Sequence, residues 1–131
     1  MQSDPQLDSL KFDANGLIPV IIQDAKNMQV LMMAFANRQA LEMTLATGKV
    51  HTYSRSRGRL ALKGETSGHF QHVKAVFTDC DQDVVLIQVE QVMAACHEGY
   101  RSCFYRQYQP GGKIWKKIAD KIFDPQKVYG K

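Results

Sequence analysis

The residues with the most chemical content are Asp79-Cys80-Asp81-Gln82-Asp83. Side chains alternate faces along an extended strand, so the run predicts Asp79, Asp81 and Asp83 on one side and Cys80 on the other. Carboxylates repeated in steps of ~7 Å along one face repel one another unless a cation sits among them. Hard oxygen donors suit Mg²⁺ or Ca²⁺ rather than a soft metal, and an exposed acidic turn is the plain alternative. An EF-hand is excluded, because Val84 stands where that loop needs glycine.

Cys80, Cys96 and Cys103 are the only cysteines, spaced C-x15-C-x6-C. An odd number does not make a disulfide framework, and the spacing lacks the C-x-x-C pairs of a structural zinc knuckle. Three thiolates with no fourth ligand would describe zinc with one position open to water; His97 beside Cys96 could close the tetrahedron instead. Buried apolar thiols are the alternative, but Asp79 and Asp81 flank Cys80, and Cys96 and Cys103 lie in the polar run CHEGYRSC. A second donor-rich segment runs from Tyr53 to His69. Arg55, Arg57, Arg59 and Lys63 offer cationic donors, and Gly58, Gly64 and Gly68 let backbone N–H groups come close, so the segment can hold phosphate. It contains no Walker loop, and its competing reading is an RNA-backbone contact. His69 is a candidate general acid or base, or a hydrogen-bonded structural histidine.

The elements that must position these groups are mostly strands. Pro19–Gln23 and Gln29–Phe35 are β-compatible runs around a turn at Asp24–Met28. Asn37 can cap a helix over Arg38–Thr47 with Ala40, Leu41 and Leu45 on its buried face and Gly48 as its stop. Val50–Ser54 reads as a strand before a turn at Arg57-Gly58. Gln71–Asp81 and Val84–Gln91 are joined too tightly for a helical crossover and should pair antiparallel. Ser102–Tyr108 is a last strand candidate. After Pro110-Gly111-Gly112, Ile114, Ile118 and Ile122 recur every fourth residue, as on one side of a helix. The fold expected is α+β with a mainly antiparallel sheet.

A chain of 131 residues fits one domain, read here as 1–110 with a basic tail at 111–131. No apolar run approaches the ~20 residues of a membrane span. Met1 to Leu10 carries Asp4 and Asp8 and no signal-peptide pattern, so the expected setting is cytoplasmic. Net charge is +4, but residues 1–100 hold nine Lys/Arg against eleven Asp/Glu, and residues 101–131 hold eight against two. Within the body, Lys49–Lys63 has five bases and no acid, whereas Asp79–Glu98 has five acids and no Lys or Arg. A block for anions followed by a block for cations suits a phosphorylated substrate with metal ions.

Together these residues resemble the phosphoribosyl-AMP cyclohydrolase family of histidine biosynthesis. The resemblance runs from Phe12 to about Arg106. It rests on DANGLIP at Asp13–Pro19, Val30-Leu31-Met32, Ser54-Arg55-Ser56-Arg57, KGETSGH at Lys63–His69, Asp79-Cys80-Asp81-x-Asp83, Ala95-Cys96-His97 and Ser102-Cys103-Phe104. Two positions depart from the family pattern: Ala61 stands where tryptophan is usual and Gln82 where glycine is usual. The resemblance implies a metal-dependent hydrolase, in the form without a fused pyrophosphohydrolase domain, that opens the purine ring of 1-(5-phosphoribosyl)-AMP at N1–C6. It implies a partly open barrel with few helices in an intertwined homodimer. It also implies one zinc per subunit on Cys80, Cys96 and Cys103, shared across the dimer, and magnesium on Asp79, Asp81 and Asp83. His69 is then the candidate catalytic base, with Arg55, Arg57 and Lys63 the candidates for the two phosphates. Neither nucleic acid nor membrane is an expected partner. A zinc deaminase shares the chemistry of adding water to a purine, but the sequence lacks the P-C-x-x-C segment such enzymes carry.

Overall fold

The computed structural model describes residues 4–130; the first three residues of the polar N-terminal segment and Lys131, at the end of the tail, lie outside them. Strands β1 (Ile18–Asp24) and β2 (Val30–Ala36) form the expected antiparallel hairpin. Strands β5 (Gln71–Thr78) and β6 (Val85–Gln91) form a second one. The two hairpins join through a parallel pairing of β1 with β6, which gives one four-stranded sheet in the order β2-β1-β6-β5. Ile18, Val20 and Ile22 alternate inward on β1, as do Val85, Ile87 and Val89 on β6, and these six dominate the core. Strands β3 (His51–Ser54) and β4 (Arg59–Leu62) make a separate ribbon, as do β7 (Arg106–Gln107) and β8 (Lys116–Lys117). The molecule is α+β and mostly antiparallel. Among the described residues no barrel closes, and no helix is long and apolar enough to cross a membrane.

Helix α1 (Arg38–Thr47) begins and ends where its caps require: the Asn37 side chain accepts from the Ala40 N–H at 2.8 Å, and Gly48 takes the left-handed conformation at φ 74°. Its buried face differs by one residue from expectation. Thr44 is buried and Leu45 exposed, because the Thr44 hydroxyl accepts from the His51 N–H at 2.9 Å and ties the helix to β3.

Three other expectations are corrected. Strand β5 stops at Thr78, so Asp79–Asp83 is a turn rather than extended chain, and alternation cannot be used to orient Cys80. The chain reverses there because Gln82 adopts φ 62° and its N–H donates to the Asp79 carbonyl at 3.1 Å. Of Ser102–Tyr108 only Arg106–Gln107 is strand, since the Ser102 hydroxyl and the Cys103 N–H bond to the Val30 and Leu31 carbonyls and bend the segment. No helix spans Ile114, Ile118 and Ile122. That stretch holds β8 and irregular chain, the three isoleucines stay exposed, and among the described residues the tail's one helix is the short α2 (Pro125–Val128). A four-residue apolar period indicates a helix only where a packing surface receives it.

Candidate active site

Three loops meet at one end of the fold. The loop from Lys63 to Phe70 is drawn tight by Gly68 N–H donating to the Gly64 carbonyl at 2.7 Å. Gly64, at φ 95°, has no room for a side chain: a Cβ there would lie 2.8 Å from the His69 backbone. The second loop, Val92–Tyr105, carries Cys96 and Cys103 and is anchored by Arg101, which donates to the Gln91 and Met93 carbonyls and pairs with buried Asp24. The third is the C-terminal segment, held by Ile118 N–H to the Tyr105 carbonyl at 2.9 Å and Ile122 N–H to the Gly99 carbonyl at 2.7 Å.

These loops bring Lys63, His69, Cys96 and Cys103 together. The Lys63 ammonium donates to the Ala95 carbonyl at 2.6 Å and lies beside both thiols; burial lowers its pKa, and the thiols oppose that fall. Cys103 is an exposed residue, but its thiol is desolvated by its neighbours, which pushes it up to about 11; Cys96 adds to the rise, and Lys63 resists it. Two thiols side by side are soft donors, so the pair fits a soft divalent cation. The Cys96 sulfur also accepts from the Glu98 N–H at 3.4 Å. His69 is buried, and burial first and the Lys63 charge second lower its pKa, while the Ala94 carbonyl opposes them. Its Nδ1 is buried without a partner, and the Phe123 ring meets the imidazole edge-on at 4.8 Å. A neutral imidazole with one unused nitrogen is equipped to accept a proton.

Cys80 is exposed on the β5–β6 turn and joins no group of metal-ligating side chains with Cys96 and Cys103 among the described residues. His97 likewise completes no such group with the thiols. Asp79, Asp81 and Asp83 do converge, each offering an oxygen within 4.8 Å of the others. Desolvation would raise Asp79, but hydrogen bonds with Asp81 and Asp83 hold it low, whereas hydrogen bonds first with Asp81 and then with Asp79 push Asp83 up. The turn thus gathers oxygen donors that fit a hard cation.

The basic residues divide. Arg57 lines a hollow of ≈ 860 Å³ beside the thiol loop. Arg55 instead lays its guanidinium over the Phe35 ring at 4.2 Å, and Lys63 is engaged with Ala95 and the thiols. Sequence reasoning missed three further cations lining that hollow, Arg106, Lys117 and Lys121. The basic excess of residues 101–131 was their only signal.

A buried neutral histidine, a lysine and two thiols, with an oxygen-donor triad and a basic hollow, are the parts of a hydrolase for a phosphorylated small molecule. Residues 32–105 match the family model described as phosphoribosyl-AMP cyclohydrolase, and the chain belongs to that family. It is 55% identical over 93% of its length to the phosphoribosyl-AMP cyclohydrolase of Methanoregula boonei, covering 95% of that protein. It is 54% identical to the protein of the same name from Methanosarcina acetivorans, over 94% of this chain and 98% of the relative. The histidine biosynthesis bifunctional protein HisIE of Thermoanaerobacter pseudethanolicus is 58% identical over 94% of this chain, which spans 56% of that longer protein.

Proposed function

We propose that this chain hydrolyses the N1–C6 bond of 1-(5-phosphoribosyl)-AMP, the cyclohydrolase step of histidine biosynthesis, as a cytoplasmic homodimer. The observation that carries the reading is that the matched segment contains Lys63, His69, Cys96 and Cys103, the four residues that the fold gathers into one group.

Cys96 and Cys103 would hold zinc with Cys80 of a second copy, and Asp79, Asp81 and Asp83 would hold magnesium. Zinc, when bound, supplies the acidification of a water molecule toward neutral pH. His69 Nδ1 takes the proton from the water as its oxygen adds to C6. Substitution at N1 leaves C6 electron-poor, so addition there is favoured. As the N1–C6 bond breaks, its electron pair stays on N1 and a proton passes to that nitrogen. C6 becomes the carbon of a carboxamide, and both phosphoribosyl arms remain on the product. The Lys63 ammonium, fixed by Ala95, opposes the rise of the Cys103 thiol and helps keep His69 neutral, a role its contacts favour over holding phosphate. Arg57 is placed for a phosphate arm, whereas the stacked Arg55 is free to act only if it leaves Phe35.

Ultraviolet absorbance of the purified protein with phosphoribosyl-AMP tests the reading, since ring opening changes the chromophore. The expected result is turnover by the wild type and loss of most of it in Cys103→Ser. An inert wild type carrying its metals would overturn the assignment.

A further inference from the structure

Two hollows meet at His97, Glu98, Tyr105 and Arg106. One, of ≈ 510 Å³, contains Cys96 and Cys103; the other, of ≈ 860 Å³, is lined by Arg57, Arg106, Lys117 and Lys121. We propose that these four cations form a cradle for one phosphate monoester of the substrate, and that residues 117–130 are therefore a working wall of the active site. The proposal rests on the cyclohydrolase reading for the identity of the substrate, and the geometry of the hollow carries the rest.

Arg106 and Lys117 are directly opposed across the β7–β8 ribbon. Directly opposed residues share a face, so two like charges stand side by side at a cost to the ribbon, unless an anion lies between them. Lys116, next in sequence, does not line the hollow, as alternation along the strand requires. Among the described residues none of the four cations lies within 4.0 Å of an acid; the hollow's single carboxylate, Glu98, accepts a hydrogen bond from the Tyr105 hydroxyl and offsets part of the charge of Arg106 and Lys121. The floor is stiff: Tyr100 and Tyr105 stack at 3.6 Å and 9°, with the Arg106 guanidinium 5.1 Å from the Tyr105 ring centre. Four cations facing one carboxylate on a rigid base leave an excess of positive charge that suits phosphate. The continuity of the hollows lets one molecule reach the thiols with its ring and Arg106 with its phosphate.

The test compares Lys117→Gln/Lys121→Gln with Lys113→Gln/Lys116→Gln, which removes the same charge from the same segment outside the hollow. Two readouts are taken: steady-state turnover of phosphoribosyl-AMP, and calorimetric titration of ribose 5-phosphate into the holoenzyme. The expected result is a KM raised about tenfold or more in the first variant with little change in kcat, and a matching loss of ribose 5-phosphate affinity. The control variant should keep wild-type values in both. Equal effects in the two variants would reduce the lysines to a general positive field and overturn the cradle, as would no effect in either. Salt-sensitive binding of single-stranded RNA that is lost in the first variant while KM is unmoved would also overturn it. If the wild type fails to turn over phosphoribosyl-AMP yet the ribose 5-phosphate titrations still separate the two variants, the reaction assignment fails and the cradle stands.

Discussion

At the scale of single residues, the neutral state of His69 is the feature most open to measurement. Its proton is disfavoured by burial and by Lys63, so its pKa lies below the usual 6.5. Between that ordinary value and the folded one, the unfolded chain binds a proton that the native chain refuses, so stability falls as pH drops through this window. His69→Gln keeps a donor for the Ala94 carbonyl and removes the titration. It should lower kcat by about 10²-fold or more, as loss of a general base does. Its melting temperature should also fall less than that of the wild type between about pH 7 and pH 5. A wild-type pH slope in the variant would take His69 out of both roles. Gln82 gives a second measurement. A non-glycine residue at φ 62° is strained, and this is the position where the resemblance expects glycine. Gln82→Gly should therefore raise stability by about 0.5–1 kcal/mol in urea unfolding. The residue types were legible in the sequence, but their partners were not: Lys63 reads as a phosphate ligand until the fold turns it onto Ala95 and the thiols.

At the scale of elements, legibility followed how local the determining signal is. Helix α1 and the β1–β2 turn carry their own caps and turn residues, and both lie where the sequence places them. The parallel joining of β1 to β6 has no local signal, because it depends on which two hairpins share a core. The same holds for the tail, whose isoleucine spacing has no surface to pack on and whose position is set by docking against Gly99 and Tyr105. That docking needs Gly99 at φ 104°, where an added Cβ would lie 2.7 Å from the Phe123 carbonyl oxygen. Gly99→Ala should displace the segment, raise KM and lower kcat together, and increase cleavage of the tail by trypsin while the core stays folded. Arg101 joins the cysteine loop to β1 through Asp24. Burial would raise the Asp24 carboxyl, but the Lys26 N–H and Arg101 hold it low, so it is charged inside the fold. Arg101→Met strands that charge and should cost about 3 kcal/mol, toward the low end for a buried pair because Arg101 reaches solvent. Adding Asp24→Asn should return part of the loss, since no ion then remains unpaired. If the double variant is no more stable than the single one, the anchor acts through packing alone.

At the scale of the whole molecule, the fold brings Cys96 and Cys103 together and leaves Cys80 apart from them. Cys80 sits on the turn that follows β5, an edge strand whose Val76 and Phe77 are 42% and 48% exposed. With the exposed Leu45 they border an apolar groove of ≈ 430 Å³, a surface suited to a second copy of the chain. An isologous two-fold contact repeats every interaction, so a Cys80 that reaches across to Cys96 and Cys103 would build two equal sites. Mixing Cys80→Ser with Cys103→Ser tests this directly, under conditions that let subunits exchange. Each variant alone lacks a ligand at every site and should be inactive. In a mixed dimer, one site takes Cys80 from the Cys103→Ser chain and both other thiols from the Cys80→Ser chain, and is whole. The other site lacks two thiols. Random exchange makes half the dimers mixed, each with one working site of two, so activity should return to roughly a quarter of wild type. Zinc content should recover in the same proportion, which separates a rebuilt site from simple stabilisation of either variant. Ligands drawn from a single chain would leave every site one thiol short, and mixing would then restore neither activity nor zinc.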